Sequence, residues 1–153
     1  MLQKYGTIID MNRDNQRGFT LIEILIAITV FAIGLLAVGR MQVTAIKGNY
    51  FANDLTEATT LAQDRMEKLI GLSYIDDDLL DTNGNQDNGL DDTNATADHN
   101  DPNNPVDGRY NIFWNIATDH PIDNTKEIRV IVTWTDKKLP KKVSITSMKA
   151  DII

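Results

Sequence analysis

Between Phe19 and Gly39 the chain is apolar at nearly every position, and this run of 21 residues holds one ionisable side chain, Glu23. Beyond Arg40 the pattern becomes one-sided. Phe51, Leu55, Ala58, Ala62, Met66 and Leu69 recur at three- and four-residue steps, while Asp54, Glu57, Asp64, Arg65, Glu67 and Lys68 lie mostly off that stripe. A segment apolar all round suits lipid or a helix bundle, and a stripe suits packing against a sheet. No proline interrupts Arg40 to Leu72, and Gly71 offers a stop. The spacing therefore predicts one helix from Phe19 to about Ile70, ~52 residues and roughly 78 Å long at 1.5 Å per residue. Gly34 and Gly39 are its weak points, each costing about 1 kcal/mol relative to alanine.

The second half of the chain changes character twice. From Asp76 to Asp107 Asp, Asn, Gly, Thr and Pro dominate, and the few apolar residues are Leu79, Leu80, Leu90 and Val106. That composition reads as a long surface loop, functional or disordered. Strict alternation then predicts three antiparallel strands, each with one buried and one wet face. In the first, Tyr110, Ile112, Trp114 and Ile116 alternate with Asn111, Phe113, Asn115 and Ala117. Glu127 to Thr135 places Ile128, Val130, Val132 and Trp134 together, and Lys142 to Met148 turns Val143, Ile145 and Ser147 inward. His120 to Asn124 and Asp136 to Pro140 supply the turns. Trp114 and Trp134 belong to the expected core between sheet and helix.

Charge and composition narrow the functions. The net charge of −7 argues against a nucleic-acid surface, which needs basic patches. With no cysteine, no disulfide can hold the long loop, so packing, oligomerisation or a metal must do so. His99 and His120 stand alone, which disfavours zinc, and no nucleophile elbow, phosphate loop or dinucleotide fingerprint occurs. The chain therefore reads as a non-enzyme, with no catalytic residues. Asn94-Ala95-Thr96 matches a glycosylation acceptor, a pattern too short to weigh.

Apolar length alone fits a membrane-spanning helix. Lys4, Arg13 and Arg17 precede it, so the positive-inside rule keeps the N-terminus cytoplasmic, although Arg40 and Lys47 weaken that bias. A secretory signal is shorter and ends in a small-residue site, which Val38-Gly39-Arg40 is not. A simple one-pass anchor would explain the span but not the acid inside it. A charge at mid-bilayer costs roughly 2.5–3.5 kcal/mol on insertion scales, somewhat less near the interface. Something must use Glu23, and a positive charge on a neighbouring protein is the simplest user.

Gly18-Phe19-Thr20-Leu21-Ile22-Glu23, continuing through Leu25-Ile26-Ala27, resembles the processing motif of type IV prepilins and pseudopilins. The resemblance implies that prepilin peptidase cuts after Gly18 on the cytoplasmic side and methylates the new amine of Phe19. Glycine before the cut lets the backbone approach a peptidase closely. It further implies that Glu23 of an incoming subunit pairs with the Phe19 amine of a neighbour, making Glu23 the subunit-assembly residue. Glu57 to Leu69 is similar to the second helix half in minor pilins of the PilV type, while the missing cysteines and the Arg40 found where many major pilins carry proline depart from the family pattern.

The implied architecture is α+β, a pilin fold with a long N-terminal helix packed on a small antiparallel β-sheet. Its segments are a leader peptide (1–18), a transmembrane and filament-core helix half (19–40), an amphipathic half packed on the head (41–72), an Asp/Asn-rich loop (73–109) and the head's sheet (110–153). The implied partners are prepilin peptidase, other pilins and minor pilins, and the inner membrane before assembly, with no nucleic acid. The protein would cross the inner membrane once, its head periplasmic, and then enter an extracellular pilus. A pseudopilin of a type II secretion system would share the same processing. A third alternative is a membrane-tethered calcium-binding module whose helix is only an anchor.

Within the loop, Asp81, Asn83, Asn85 and Asp87 place oxygens at alternate positions, and Asp92 follows eleven residues after the first. Calcium takes six to eight oxygen ligands, and alternating Asp/Asn around a tight turn supplies them. An EF-hand has glycine at its sixth position and Glu at its last; here those places hold Gln86 and Asp92, and the glycine falls at Gly84. The loop is more similar to the freestanding Asp/Asn/Gly calcium loops of exported repeats and some pseudopilins. A solvated loop without an ion accounts for the same residues, and both readings stand at this point.

Overall fold

The computed structural model describes residues 18–151. The leader expected at 1–18 therefore lies outside the described residues apart from Gly18. The chain divides into two compact units, Met1–Ile46 and Lys47–Ile153. A single helix, α1, runs from Leu21 to Gly71 and contributes to both. It begins two residues later than the pattern predicts and includes Gly71, which was expected to end it.

In the first unit every described side chain is exposed. This part of α1 is long and apolar enough to cross a membrane. Thr29 and Thr44 donate their hydroxyls to the carbonyls of Leu25 and Arg40 four residues back, at 2.8 and 3.0 Å, so the helix satisfies even these polar atoms internally.

The second unit is a four-stranded antiparallel sheet in the order β1-β2-β3-β4, lying on the last turns of α1. The strands are β1 (His99–Asn100), β2 (Asn111–Thr118), β3 (Thr125–Asp136) and β4 (Leu139–Ala150). Register places Trp114 opposite Val130, Val130 opposite Ile145, and His99 opposite Trp114. Ala58, Ala62, Met66 and Leu69 of α1 meet Tyr110, Ile112, Trp114, Ile116, Ile128, Val130, Val132 and Trp134 in one apolar core, closed by Leu79. The two alanines are fully buried. Their small side chains let the helix backbone come close to a sheet face carrying two tryptophans. The pilin-like α+β fold and the core positions of both tryptophans agree with the sequence reading.

Four expectations change. Phe51 and Leu55 belong to the apolar stripe but stay partly exposed, at 44% and 38%, and Asp54 is buried instead. Three predicted strands become four, because the Asp/Asn-rich segment contributes β1 and 3-10 turns at Asp77–Leu79, Gln86–Gly89 and Asn94–Thr96. The expected wet face of β2 is dry: Phe113, Asn115 and Ala117 are buried along with the inward residues. The loop lies over that face, where Asn115 Nδ2 donates to the carbonyls of Leu90 (3.2 Å) and Asp92 (2.9 Å). Asn115 Oδ1 in turn accepts from the Asp98 amide (2.9 Å), and Asp98 accepts the Ile116 amide (2.9 Å). Finally, β4 is longer than expected and includes Pro140. As an edge strand it tolerates a residue that cannot donate to a ladder.

Candidate functional site

The N-terminal segment is built around Thr20. Gly18, Phe19 and Thr20 are exposed and precede the helix, so the Gly18–Phe19 bond is open to a peptidase without unwinding α1. The amide of Glu23 donates to the Thr20 carbonyl (3.1 Å) and to Thr20 Oγ1 (3.3 Å), which caps the first turn. Glu23 is thereby held in the opening turn, where the helix dipole favours a carboxylate. The sequence spacing T-x-x-E is a capping-box pattern, a signal that the hydrophobic reading overlooked. Phe19 itself is 80% exposed.

The five residues expected to share an ion are brought together only in part. Gly84 turns the chain at φ +71. Asp81 spends both oxygens on the loop's own backbone, accepting the amides of Gly84 (2.7 Å) and Gln86 (3.0 Å). Asn83 Oδ1 accepts the Asn85 amide (3.0 Å), and its Nδ2 donates to the Thr96 carbonyl (2.9 Å). Asp87 stands toward His120, 4.0 Å from Nε2. Only Asn85 and Asp92 meet, with Asn85 Nδ2 donating to Asp92 Oδ2 at 2.9 Å. Beside them Asn85 Oδ1 is buried with no donor, wedged so closely on Gly89 that a Cβ there would collide with it. Among the described residues no group of three or more His, Asp or Glu side chains gathers to hold a metal.

What ties the loop to the helix is a set of cations that sequence reasoning left on the surface. Arg65 forms an ion pair with Asp101, their side chains only 16% and 7% exposed, and its guanidinium lies 4.7 Å from the centre of the Trp114 ring. His99 stacks on Trp114 at 5.4 Å. Burial lowers the pKa of Arg65, an effect that nearby Asp78 opposes. Arg109 pairs with the buried Asp54, and the hydrogen bond to that carboxylate holds its guanidinium pKa up. Tyr110 donates to Glu57 Oε2 (3.0 Å); burial first, and then this bond, push its pKa up to about 12.

Lys126 is buried, and among the described residues no carboxylate forms an ion pair with it. Its ammonium donates to the carbonyls of Tyr74 (2.8 Å) and Leu79 (2.7 Å) and sits 4.6 Å over the Tyr74 ring. Burial lowers its pKa, opposed by Asp151. The sequence reading begins this strand at Glu127 and leaves Lys126 out; carrying the alternation one residue further back, onto the face of Ile128, Val130, Val132 and Trp134, is the signal that finds it. Together these contacts tether helix, loop and sheet in a chain that has no disulfide.

The family model of the prokaryotic N-terminal methylation motif matches residues 13–39. No curated protein and no solved structure matches the chain. The matched stretch takes in Gly18, Phe19 and Glu23 and the opening turns of α1. Such a motif implies processing by prepilin peptidase and assembly with other pilins, and with the apolar helix it fits an inner-membrane anchor. The chain thus carries the N-terminal signature of a type IV prepilin-like protein.

Proposed function

We propose that this chain is a minor pilin subunit that enters a type IV pilus or primes its assembly. The observation that carries the reading is the methylation motif joined to an exposed apolar helix whose one charge before Arg40 is Glu23. Hydrolysis of the Gly18–Phe19 bond leaves a carboxylate on Gly18 and an ammonium on Phe19, which methylation keeps as a cation. Glu23 of one subunit then pairs with that cation on its neighbour as both leave lipid for a helical bundle. In an apolar surrounding the pair also sets register, since removing one partner of a buried pair costs about 3–5 kcal/mol. Before assembly the N-terminus is cytoplasmic and the head periplasmic; afterwards the head is extracellular. The test is Glu23→Ala. Membrane insertion and cleavage should persist, while the subunit disappears from sheared filaments on immunoblotting. Normal incorporation would defeat the pairing. A pseudopilin of a type II secretion system is the alternative: deletion would then abolish secretion and leave pili intact.

Calcium binding by the Asp/Asn-rich loop belongs to the same proposal, supported by the unpartnered Asn85 Oδ1 beside Asp92. Asn85 and Asp92 would hold the ion, whose double charge would pin the loop where other exported domains use a disulfide. Calorimetric titration of the full chain with calcium should give heat that Asp92→Ala removes. An absence of heat, with an unchanged melting temperature, would end the idea.

A further inference from the structure

The β3–β4 turn carries the densest positive charge on an acidic protein. Lys137 and Lys138 form its two-residue tip, and Lys141 and Lys142 follow within β4. Both tip residues have positive φ, +49 and +67, a conformation that usually selects Asn-Gly in such hairpins. Two lysines there give up backbone comfort for charge. Lys142 is engaged with Asp91 at 3.7 Å, and Lys141 lies 5.6 Å over the Phe51 ring. Neither Lys137 nor Lys138 forms an ion pair among the described residues.

Beside this turn lies an open hollow of ≈ 560 Å³, walled by Arg109, Asn111, Thr133, Trp134, Thr135 and Pro140 among others. No Asp or Glu lines it. Asn111, Thr133 and Thr135 contribute polar side chains to its wall, while the Arg109 guanidinium is already held by Asp54. Trp134 is 3% exposed, and its indole N–H is the one buried side-chain donor without an acceptor among the described residues. A hollow without acid in its lining, flanked by two lysines that form no ion pair among the described residues, is suited to carboxylate oxygens.

The opposite end of β3 presents them. The β2–β3 loop carries Asp119 and Asp123, and Asp151 joins it through its amide to the Asn124 carbonyl at 3.0 Å. All three are exposed. At that end Lys126 is buried on carbonyls close enough to Asp151 to feel its charge, and Lys149 donates to the Ile70 carbonyl, which leaves Asp119 and Asp123 as the outward acids. β3 has 12 residues, which separates the two ends by roughly 40 Å. No chain can close this contact on itself. The geometry points to an end-to-end contact between two copies of this chain, in which the Asp119–Asn124 loop of one seats in the Trp134 hollow beside Lys137 and Lys138 of the other. Such a contact joins unlike surfaces and so propagates instead of closing on a pair. It deepens the reading of this chain as an assembling subunit and rests on it for the setting.

The absence of cysteine makes the test direct. Two tagged full-length copies are co-expressed, one carrying Lys138→Cys and the other Asp123→Cys, and membranes and sheared filaments are oxidised. A mixed 138–123 disulfide should form, at least tenfold above the 138–138 and 123–123 products. Adding Lys137→Glu to the first copy should cut the yield about fivefold, and adding Asp119→Lys to the second should restore it. Equal yields from like sites, indifference to charge reversal, or coupling of the Lys138→Cys copy only to a different protein would overturn the contact. Incorporation is scored on the same samples. Normal incorporation without the mixed product sinks the contact alone; the mixed product in membranes without incorporation sinks the pilus reading alone.

Discussion

Replacing Arg65 with methionine should be the most damaging single change to the second unit. The guanidinium is 16% exposed and its partner Asp101 only 7%, so the pair is largely shielded from water. Methionine keeps most of the length and apolar volume but leaves Asp101 as an uncompensated buried carboxylate. Breaking such a pair costs about 3–5 kcal/mol, and the lost stacking on Trp114 falls within that figure. For a unit of about 100 residues each kcal/mol moves Tm by about 5 °C, so the drop should be about 15–25 °C. Adding Asp101→Asn should return about 1–2 kcal/mol, because the stranded charge is gone while an oxygen remains to accept the Asn103 amide, which Asp101 Oδ1 now does at 2.8 Å. Urea unfolding of the full chain in detergent, followed by tryptophan fluorescence, reads both variants. A loss below about 0.5 kcal/mol for Arg65→Met, or strict additivity in the double variant, would refute the idea that this pair ties helix to loop.

Two further expectations concern protons. Tyr110 holds its proton to about 12 in the folded chain, whereas an unfolded tyrosine releases it near 10. The folded state thus binds more protons in that window, so stability should fall as pH rises through it, and Tyr110→Phe should flatten the decline in denaturation curves measured across it. Lys126 behaves oppositely. Its folded pKa lies below the ordinary 10.5, so just below that pH the unfolded chain binds more protons and stability should gain with rising pH. Lys126→Met should abolish that gain and cost about 1–3 kcal/mol near pH 7 for each main-chain carbonyl left unpartnered, at Tyr74 and Leu79. An unchanged pH profile, or a more stable Lys126→Met chain, would contradict the assignment.

The helix and the inner sheet face were legible because each follows one short-range period. Ala58, Ala62, Met66 and Leu69 repeat with the helix, and Ile128, Val130, Val132 and Trp134 with the strand. The outer face of β2 was not legible. Its cover is a segment poor in apolar residues that binds through Asn115, Asp98 and the carbonyls of Leu90 and Asp92, pairings that span 17 to 25 residues in sequence. The buried charges escaped for a related reason. Asp54 and Arg65 look solvated on a helical projection, and only partners at Arg109 and Asp101 make their burial affordable. At the N-terminus the order glycine, phenylalanine, acid and apolar run carried the reading, and the structure adds the Thr20 cap that fixes where Glu23 sits.

The pairing proposed for Glu23 depends on a free amine at Phe19. Intact-mass spectrometry of the chain recovered from membranes and filaments tests this most directly. Processing predicts a polypeptide that begins at Phe19 and carries one added methyl group. A mass that includes residues 1–18 would mean that the cation for Glu23 is never made, and would contradict the assembly mechanism.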